Sequence, residues 1–238
     1  MGYGTRYFSS RRYPGLYRSN SSYALAGAAA KRIGRYKLRQ AIKSVAERKF
    51  YDSPVTLSSA GNLLSLAGYM FVLTDMAQGA GTSNRIGDKC TGSSIEIRYL
   101  LYSPGAVTTV PFITFRLIIF IWKDDTVPIV GDILEAIGLS PPLSPFNHDK
   151  RIKRKVLYDG THTQYLDNIT KNSNNPNKFK KIILPLNKLR RGLNIVNFQS
   201  GTTVAVNHIY ALMIADTANT ANLTWTLEFE GRYNFIDM

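Results

Sequence analysis

Twelve lysines and arginines lie in the first fifty residues of this 238-residue chain, against a single anion, Glu47. This segment carries a net charge of +11, whereas the remaining 188 residues hold 18 cations and 15 anions, a net charge of +3. Dense positive charge suits the neutralisation of phosphates, with release of counterions and without base readout. The candidate nucleic-acid-binding residues are therefore Arg6, Arg11, Arg12, Arg18, Lys31, Arg32, Arg35, Lys37, Arg39, Lys43, Arg48 and Lys49.

The other reactive residue types do not form a catalytic or metal-binding pattern. The three histidines, His148, His162 and His208, are far apart in sequence and lack metal-ligand spacing. The segment Gly160-Thr161-His162-Thr163 is similar to the start of a cupin metal motif, but the second histidine and the glutamate that should follow are missing. Asp124 and Asp125 are adjacent, which suits a hairpin loop better than a shared cation. We therefore expect no enzymatic activity, no metal and no cofactor.

Cysteine usage and hydropathy set further limits. Cys90 is the chain's one cysteine, which excludes an internal disulfide, and we expect it to be a small buried apolar residue. The apolar runs Leu117–Trp122 and Ala24–Ala30 are much shorter than the ~18 residues of a membrane helix. We expect a soluble protein, made in a reducing compartment, with no membrane span.

The basic region, taken as residues 1–50, divides into two parts. Residues 1–22 are rich in Gly, Tyr, Arg and Ser, a composition that predicts a disordered tail. Tyrosines between its arginines could stack on bases, or they could simply make the tail adhesive. Residues 23–50 contain no proline and predict a helix, capped by Ser21 or Ser22. A basic stripe recurs at every fourth residue of this helix, facing phosphates or simply solvent: Lys31, Arg35, Arg39 and Lys43.

From residue 51 onward the pattern is that of β-strands, rich in Ile, Val, Tyr, Phe and Thr. The predicted strands are Ser94–Tyr102, Phe112–Trp122, Ile152–Tyr158, Lys178–Leu184, Val204–Ile214 and Leu223–Tyr233, with a further one near Lys49–Leu57. One helix, Val130–Ile137, interrupts them and ends at Gly138. Many strands without βαβ alternation indicate an antiparallel sandwich. We predict an all-β protein: one eight-stranded jelly roll over residues 51–238, preceded by the basic arm.

Further basic residues could form a second surface that faces nucleic acid: Lys150, Arg151, Lys153, Arg154, Lys155, Lys188, Arg190 and Arg191. Within Ile152–Tyr158, Lys153 and Lys155 should share one face, opposite Ile152 and Val156. Ordinary solvated positions, or ion pairs at subunit contacts, are the alternative interpretation of these residues and the favoured one.

Several segments, in order, resemble the capsid proteins of circular, Rep-encoding single-stranded DNA (CRESS-DNA) viruses. They are Arg85-Ile-Gly-Asp88, Ser94-Ile-Glu-Ile-Arg98, Phe115–Ile121, Asp132-Ile-Leu134, Lys150–Asp159 with Thr161, and Lys181-Ile-Ile-Leu-Pro185. The chain is also similar to the coat protein of satellite tobacco necrosis virus. The resemblance covers about residues 45–238, and its motifs are individually loose.

This resemblance implies a jelly-roll subunit that self-assembles into a small icosahedral shell of sixty copies, a T=1 virion. The arm would point inward to a single-stranded DNA genome, and sixty arms would supply on the order of six hundred positive charges. The host nucleus during assembly, and the import machinery as a partner, are also implied.

Other functional classes remain open at this point. A satellite-type RNA virus coat protein would share the same plan. A non-viral nucleic-acid-binding protein would place aromatic and basic residues on an exposed sheet, whereas Phe112–Trp122 is nearly all apolar and predicts burial on both faces. A jelly-roll enzyme or lectin would require a clustered site, which the scattered histidines do not supply.

Overall fold

A computed structural model describes most of the predicted β-domain and little of the basic arm. The described residues are 37, 48–57, 68–102, 112–135, 141–165, 178–189, 192–200, 202–216 and 226–237. The predicted disordered tail, residues 1–22, lies outside them. So does the predicted helix 23–50, apart from Lys37, which is helical, and residues 48–50, which are in a strand.

The described residues form ten strands and one short α-helix. The strands are β1 Arg48–Leu57, β2 Tyr69–Val72, β3 Lys89–Tyr102, β4 Phe112–Trp122, β5 Arg154–Tyr165, β6 Lys178–Pro185, β7 Ile195–Phe198, β8 Ala205–Val206, β9 His208–Ala215 and β10 Thr226–Asp237. The helix, α1, spans Val130–Ile133, and a 3₁₀ turn spans Pro141–Leu143.

Strands from opposite ends of the domain pair with one another. β1 pairs with β10, β2 with β9, β3 with β6 and β4 with β5, and every pair is antiparallel. The domain is therefore one long hairpin rolled up into two sheets, sheet A (β1-β10-β3-β6) and sheet B (β2-β9-β4-β5). This order confirms the predicted jelly roll. The short strands β7 and β8 are additional and extend sheet A beside the start of β3.

Sheet A buries one face and sheet B buries both. In β3 the alternate residues Ile95, Ile97, Tyr99 and Leu101 are buried in the core between the sheets. In β4 one face joins that core, and the other joins a second apolar cluster with Ile133 and Leu134. The two-sided burial predicted for Phe112–Trp122 is thus confirmed, and all eight residues of β9 are also buried.

Several predicted boundaries were wrong. Residues 48–50 belong to β1 and not to a helix, because they continue the ladder with β10. β5 starts two residues late and runs on to Tyr165, since β4 offers partners along its whole length. The predicted strand Val204–Ile214 is interrupted at Asn207, whose φ of 66° breaks the ladder. Helix α1 ends at Ile133 because Leu134 is extended and bridges to Phe146.

Arg116, a buried cation on β4, attaches residues 142–146 to the outer face of sheet B. Arg116 on β4 donates from Nε and Nη2 to the two carboxylate oxygens of Asp159, at 2.7 Å each. Its Nη1 donates to the carbonyl oxygens of Ser144 at 2.5 Å and Pro142 at 3.3 Å. The guanidinium also lies 5.0 Å from the ring centroid of Phe146. Arg116 therefore holds residues 142–146 against the outer face of sheet B.

We expect Arg116→Met to lower the free energy of unfolding by about 3 kcal/mol, because the guanidinium, only 10% exposed, no longer donates to the carbonyl oxygens of the buried residues Pro142 and Ser144. Arg232 on β10 makes the same two-pronged contact with Asp52, at 2.7 and 2.8 Å, but on an exposed face. Arg232→Met is the matched control and should cost less than about 1 kcal/mol. Urea unfolding of both variants measures the difference, and equal costs would contradict the bracing role of Arg116.

Candidate nucleic-acid interface

Three of the twelve candidate cations fall within the described residues. Lys37 is helical and exposed, Arg48 is exposed at the first position of β1, and Lys49 is buried. The other nine lie outside the described residues: Arg6, Arg11, Arg12, Arg18, Lys31, Arg32, Arg35, Arg39 and Lys43. Arg48 therefore marks the point where the chain enters sheet A, at its edge strand β1.

Lys49 does not face solvent. It is 4% exposed, and its Nζ lies 3.6 Å from the carboxylate of Asp237 and donates to the carbonyl oxygen of Asn84 at 3.2 Å. Alternation along β1 explains this, because Arg48 and Phe50 point outward and Lys49 must point inward. We therefore remove Lys49 from the candidate interface and assign it a structural role.

The loop beside Lys49 is organised by Arg85, the first residue of the Arg85-Ile-Gly-Asp88 segment. Arg85 is fully buried and donates to the carbonyl oxygens of Gly87 at 2.8 Å and Thr202 at 2.7 Å. It also pairs with the Asp88 carboxylate at 3.0 Å, and its guanidinium lies 4.2 Å from the ring centroid of Phe198. This segment therefore maintains the fold next to the point where the arm joins the domain.

Asp237 joins this loop to the end of β10. Its carboxylate accepts hydrogen bonds from the backbone N–H groups of Ile86 and of Gly87, the second at 3.2 Å, in addition to the Lys49 ammonium. Cys90 lies against the same carboxylate, with Sγ 3.9 Å from Oδ1. Burial, and then the charge of Asp237, raise the pKa of the Cys90 thiol to about 12. Cys90 is fully buried, as predicted, and stays protonated.

We expect Lys49→Met to destabilise the domain by about 2–3 kcal/mol, because the buried Asp237 carboxylate loses its cation. The neighbouring Arg48→Met is the matched control and should change stability by less than about 0.5 kcal/mol. Thermal unfolding measures stability, and filter binding to single-stranded DNA measures affinity. If the Lys49→Met protein is as stable as wild type but binds DNA more weakly, the structural role is contradicted and Lys49 belongs to the interface.

The second basic cluster is largely occupied by interactions within the chain. Lys153 Nζ lies 2.5 Å from Asp124, and Lys150 Nζ lies 3.9 Å from Asp132. The hydrogen bond between Lys153 and Asp124 raises the pKa of the lysine and lowers that of the carboxyl group. Arg154 is buried, 5.1 Å from the Phe146 ring, so it does not face a ligand. Lys150 and Lys153 therefore form ion pairs within the chain, and the expected ion pairs at subunit contacts stay a prediction.

The exposed members of the cluster are Arg151, Lys153, Lys155 and Lys188, and Arg190 and Arg191 lie outside the described residues. Lys153 and Lys155 are both exposed, and Val156 packs on the apolar cluster, as predicted. The prediction for Ile152 was wrong, since it is 76% exposed. It precedes β5 in a turn, where strand alternation does not apply.

Two of the three histidines, His162 and His208, are buried and pack in the domain, whereas His148 is exposed. His208 donates from Nε2 to the Thr203 carbonyl oxygen at 2.7 Å and accepts at Nδ1 from the Thr74 hydroxyl at 2.9 Å. His162 is 7% exposed, lies 5.2 Å from Phe115 between ring centroids, and hydrogen-bonds to Tyr158 at 3.0 Å. Within the described ranges no three metal-ligating side chains cluster. No helix in that part of the chain is long and apolar enough to cross a membrane.

Burial lowers the pKa of His208, although the Thr203 carbonyl and Asp75 partly oppose this. The neutral imidazole is therefore favoured in the folded state, and its contribution to stability is complete above the ordinary pKa of 6.5 and is lost as pH falls below it. We expect the melting temperature to fall between pH 7.5 and 5.5, and His208→Gln to flatten that fall. His148→Gln, at an exposed position, should leave the slope unchanged, and an equal effect of both would contradict the assignment.

Comparison with known proteins gave distant structural likenesses alone. No family model matches the sequence, and no curated protein matches it. A decameric BFDV capsid protein aligns with 81% of this chain and 99% of its own length, at 16% identity and a TM-score of 0.40. A protein of the Israeli acute paralysis virus particle aligns over 82% and 73%, at 11% identity and a TM-score of 0.36. With scores this low, the fold assignment rests on the strand order of the chain itself.

Proposed function

We propose that this protein is a viral coat protein that self-assembles into a small icosahedral shell and holds single-stranded DNA through its basic arm. The observation that carries the proposal is the joining of a jelly roll to a segment of net charge +11. The rest of the chain, residues 51–238, is nearly neutral, at +3. The two parts therefore suit different tasks, enclosure by the domain and charge neutralisation by the arm.

The interior of the domain supports a structural role. The cations Arg85, Arg116 and Lys49 are buried in bonds to carbonyl and carboxylate oxygens of the chain. They brace loops and strand ends and are not available to a ligand. We accordingly propose that the protein is not an enzyme, and that its basic arm is its contact with nucleic acid.

A single strand is the nucleic acid that fits the arm best. Five aromatic residues lie among the arginines of residues 1–22, and unpaired bases are free to stack on them: Tyr3, Tyr7, Phe8, Tyr13 and Tyr17. The choice of DNA over RNA, the sixty-subunit shell, passage through the host nucleus and contact with import machinery follow from the CRESS-DNA resemblance. A satellite-type RNA coat protein is the second candidate, and a non-viral nucleic-acid-binding protein the third.

The test is electron microscopy of the purified protein, with size-exclusion chromatography and the ratio of absorbance at 260 and 280 nm. We expect uniform spherical particles that contain nucleic acid, and digestion with DNase or RNase then identifies the genome type. A monomer that persists across salt and pH would contradict the proposal and favour the non-viral binding protein.

Changing Lys31, Arg35, Arg39 and Lys43 to Gln removes four of the arm's eleven net charges. We expect the packaged nucleic acid per particle to fall by about a third, because phosphate neutralisation follows the charge. A matched variant changes four exposed cations of the domain, Lys89, Arg151, Lys155 and Lys188. Its packaging should stay unchanged. An equal loss in both variants would instead indicate a second genome-facing layer on the jelly roll.

A further inference from the structure

The outer face of sheet A differs from that of sheet B, because the described residues leave it uncovered. We propose that this face pairs with the same face of a second copy of the chain about a two-fold axis. The proposal rests on the proposed function, since a self-assembling shell requires contacts between copies of the chain. It identifies the surface that makes one of those contacts.

Strand register places four charged side chains in a square at the middle of this face. Glu230 on β10 is opposite Arg98 on β3, and Arg232 is opposite Glu96. The residues between them, Gly231 and Ile97, point into the core. The sign of the charge therefore alternates both along each strand and between the strands, as on a chequerboard. We call these four residues the charge square.

Contacts within the chain hold the charge square in place. Arg98 Nε donates to Glu96 at 2.8 Å, and Arg98 Nη1 lies 3.8 Å from Glu230. Lys181 on β6 lies 2.7 Å from Glu96, and Asp52 on β1 binds Arg232. Hydrogen bonds from Lys181 and Arg98 lower the pKa of Glu96, so it is charged at neutral pH. Side chains that are already ordered lose less entropy when a partner binds.

A square of alternating charge is complementary to itself when it is turned face to face. If the two-fold axis crosses the strands, Glu230 faces the partner's Arg232 and Arg98 faces the partner's Glu96. If the axis runs along the strands between β10 and β3, Glu230 faces the partner's Arg98 and Arg232 faces the partner's Glu96. Each cation of the square meets an anion in either case, as an isologous contact requires.

Apolar side chains border the square. Phe179 and Ile183 on β6 are 63% and 58% exposed, and Pro54 on β1 is also exposed. Beside the square lies a hollow of about 380 Å³, lined in part by Pro54, Arg98, Phe179 and Glu230. Such a hollow can receive the partner's long side chains, and the apolar border gives the contact surface to bury.

The charges favour a second copy over nucleic acid as the occupant. Across this face the three carboxylates of Asp52, Glu96 and Glu230 equal in number the three cations Arg98, Lys181 and Arg232, and the signs alternate within the charge square, whereas Lys181 is opposite Arg98. A phosphate backbone would meet as many anions as cations and would gain little attraction. A surface with the same alternating pattern gains attraction at each position.

The experiment is a charge swap in the full-length chain, using Glu230→Arg, Arg232→Glu and Arg98→Glu. Each variant alone should self-associate at least about tenfold more weakly than wild type, because like charges then face each other twice per pair. Sedimentation velocity measures dimers, and electron microscopy counts particles. Asp149→Arg, an exposed charge reversal outside this face, is the matched control and should assemble like wild type. Circular dichroism confirms that each variant is folded.

Mixing the variants then tests the pairing directly. Equimolar Glu230→Arg and Arg232→Glu should restore association if the axis crosses the strands, because opposite charges face each other in the mixed pair alone. Glu230→Arg with Arg98→Glu should restore it if the axis runs along the strands. Either rescue supports the proposal and fixes the orientation. Normal association of folded Glu230→Arg alone, or rescue by neither mixture, would overturn it.

These outcomes are distinct from failure of the proposed function. Wild-type chain that forms charge-swappable dimers but no particles would contradict the coat-protein proposal and leave the face pairing standing. If the wild type forms particles and Glu230→Arg forms them equally well, the face pairing is contradicted and the coat-protein proposal is left standing.

Discussion

The pairing of β10 with both β1 and β3 is the contact on which the rest of the structure depends. β10 lies between the two strands in sheet A, and its ladder with β3 covers twelve residue pairs. Its alternate residues Leu227, Phe229, Tyr233 and Phe235 face the core, so a shift of one residue would expose all of them. The same register brings Asp237 to Lys49 and sets Glu230 beside Arg98. One ladder thus determines the core, the strand that receives the arm and the charged outer face.

Positive charge does two different things in this protein. Ahead of β1, residues 1–47 hold ten cations and one anion, a concentration of charge that is suited to a polyanion. Inside the domain, individual cations replace water as the donors to loop carbonyl groups, as Arg116 does for Pro142 and Ser144. Three of the buried cations are each matched by a carboxylate, Asp88 for Arg85, Asp159 for Arg116 and Asp237 for Lys49, whereas Arg154 lies against the Phe146 ring. This matching lets the domain enclose charge without adding to its own net charge.

Sequence patterns predicted the elements whose residues follow one clear period. Phe112–Trp122 was placed to the residue, because an apolar run of that length with β-branched side chains suits a buried strand. β2 and β7 were missed, since four residues give too short a pattern to read. The far end of β5 was missed; glycine is uncommon inside strands, yet Gly160 lies within β5, where a Cβ at its position would overlap the Tyr158 ring. The burial of Lys49 depends on Asp237, 188 residues later in the chain, and no local pattern contains that information.

The position of β4 in the rolled hairpin has a consequence for a chain emerging from the ribosome. Its neighbour β5 follows soon after, but its other neighbour, β9, ends 93 residues beyond Trp122. At roughly 5–20 residues per second, translation leaves one edge of this apolar strand unpaired for about 5–20 s. During that interval the segment has the composition of an aggregation-prone strand, with Arg116 as its one charged residue. The cation that later braces the loop is therefore also the one charge that interrupts this apolar run in the nascent chain.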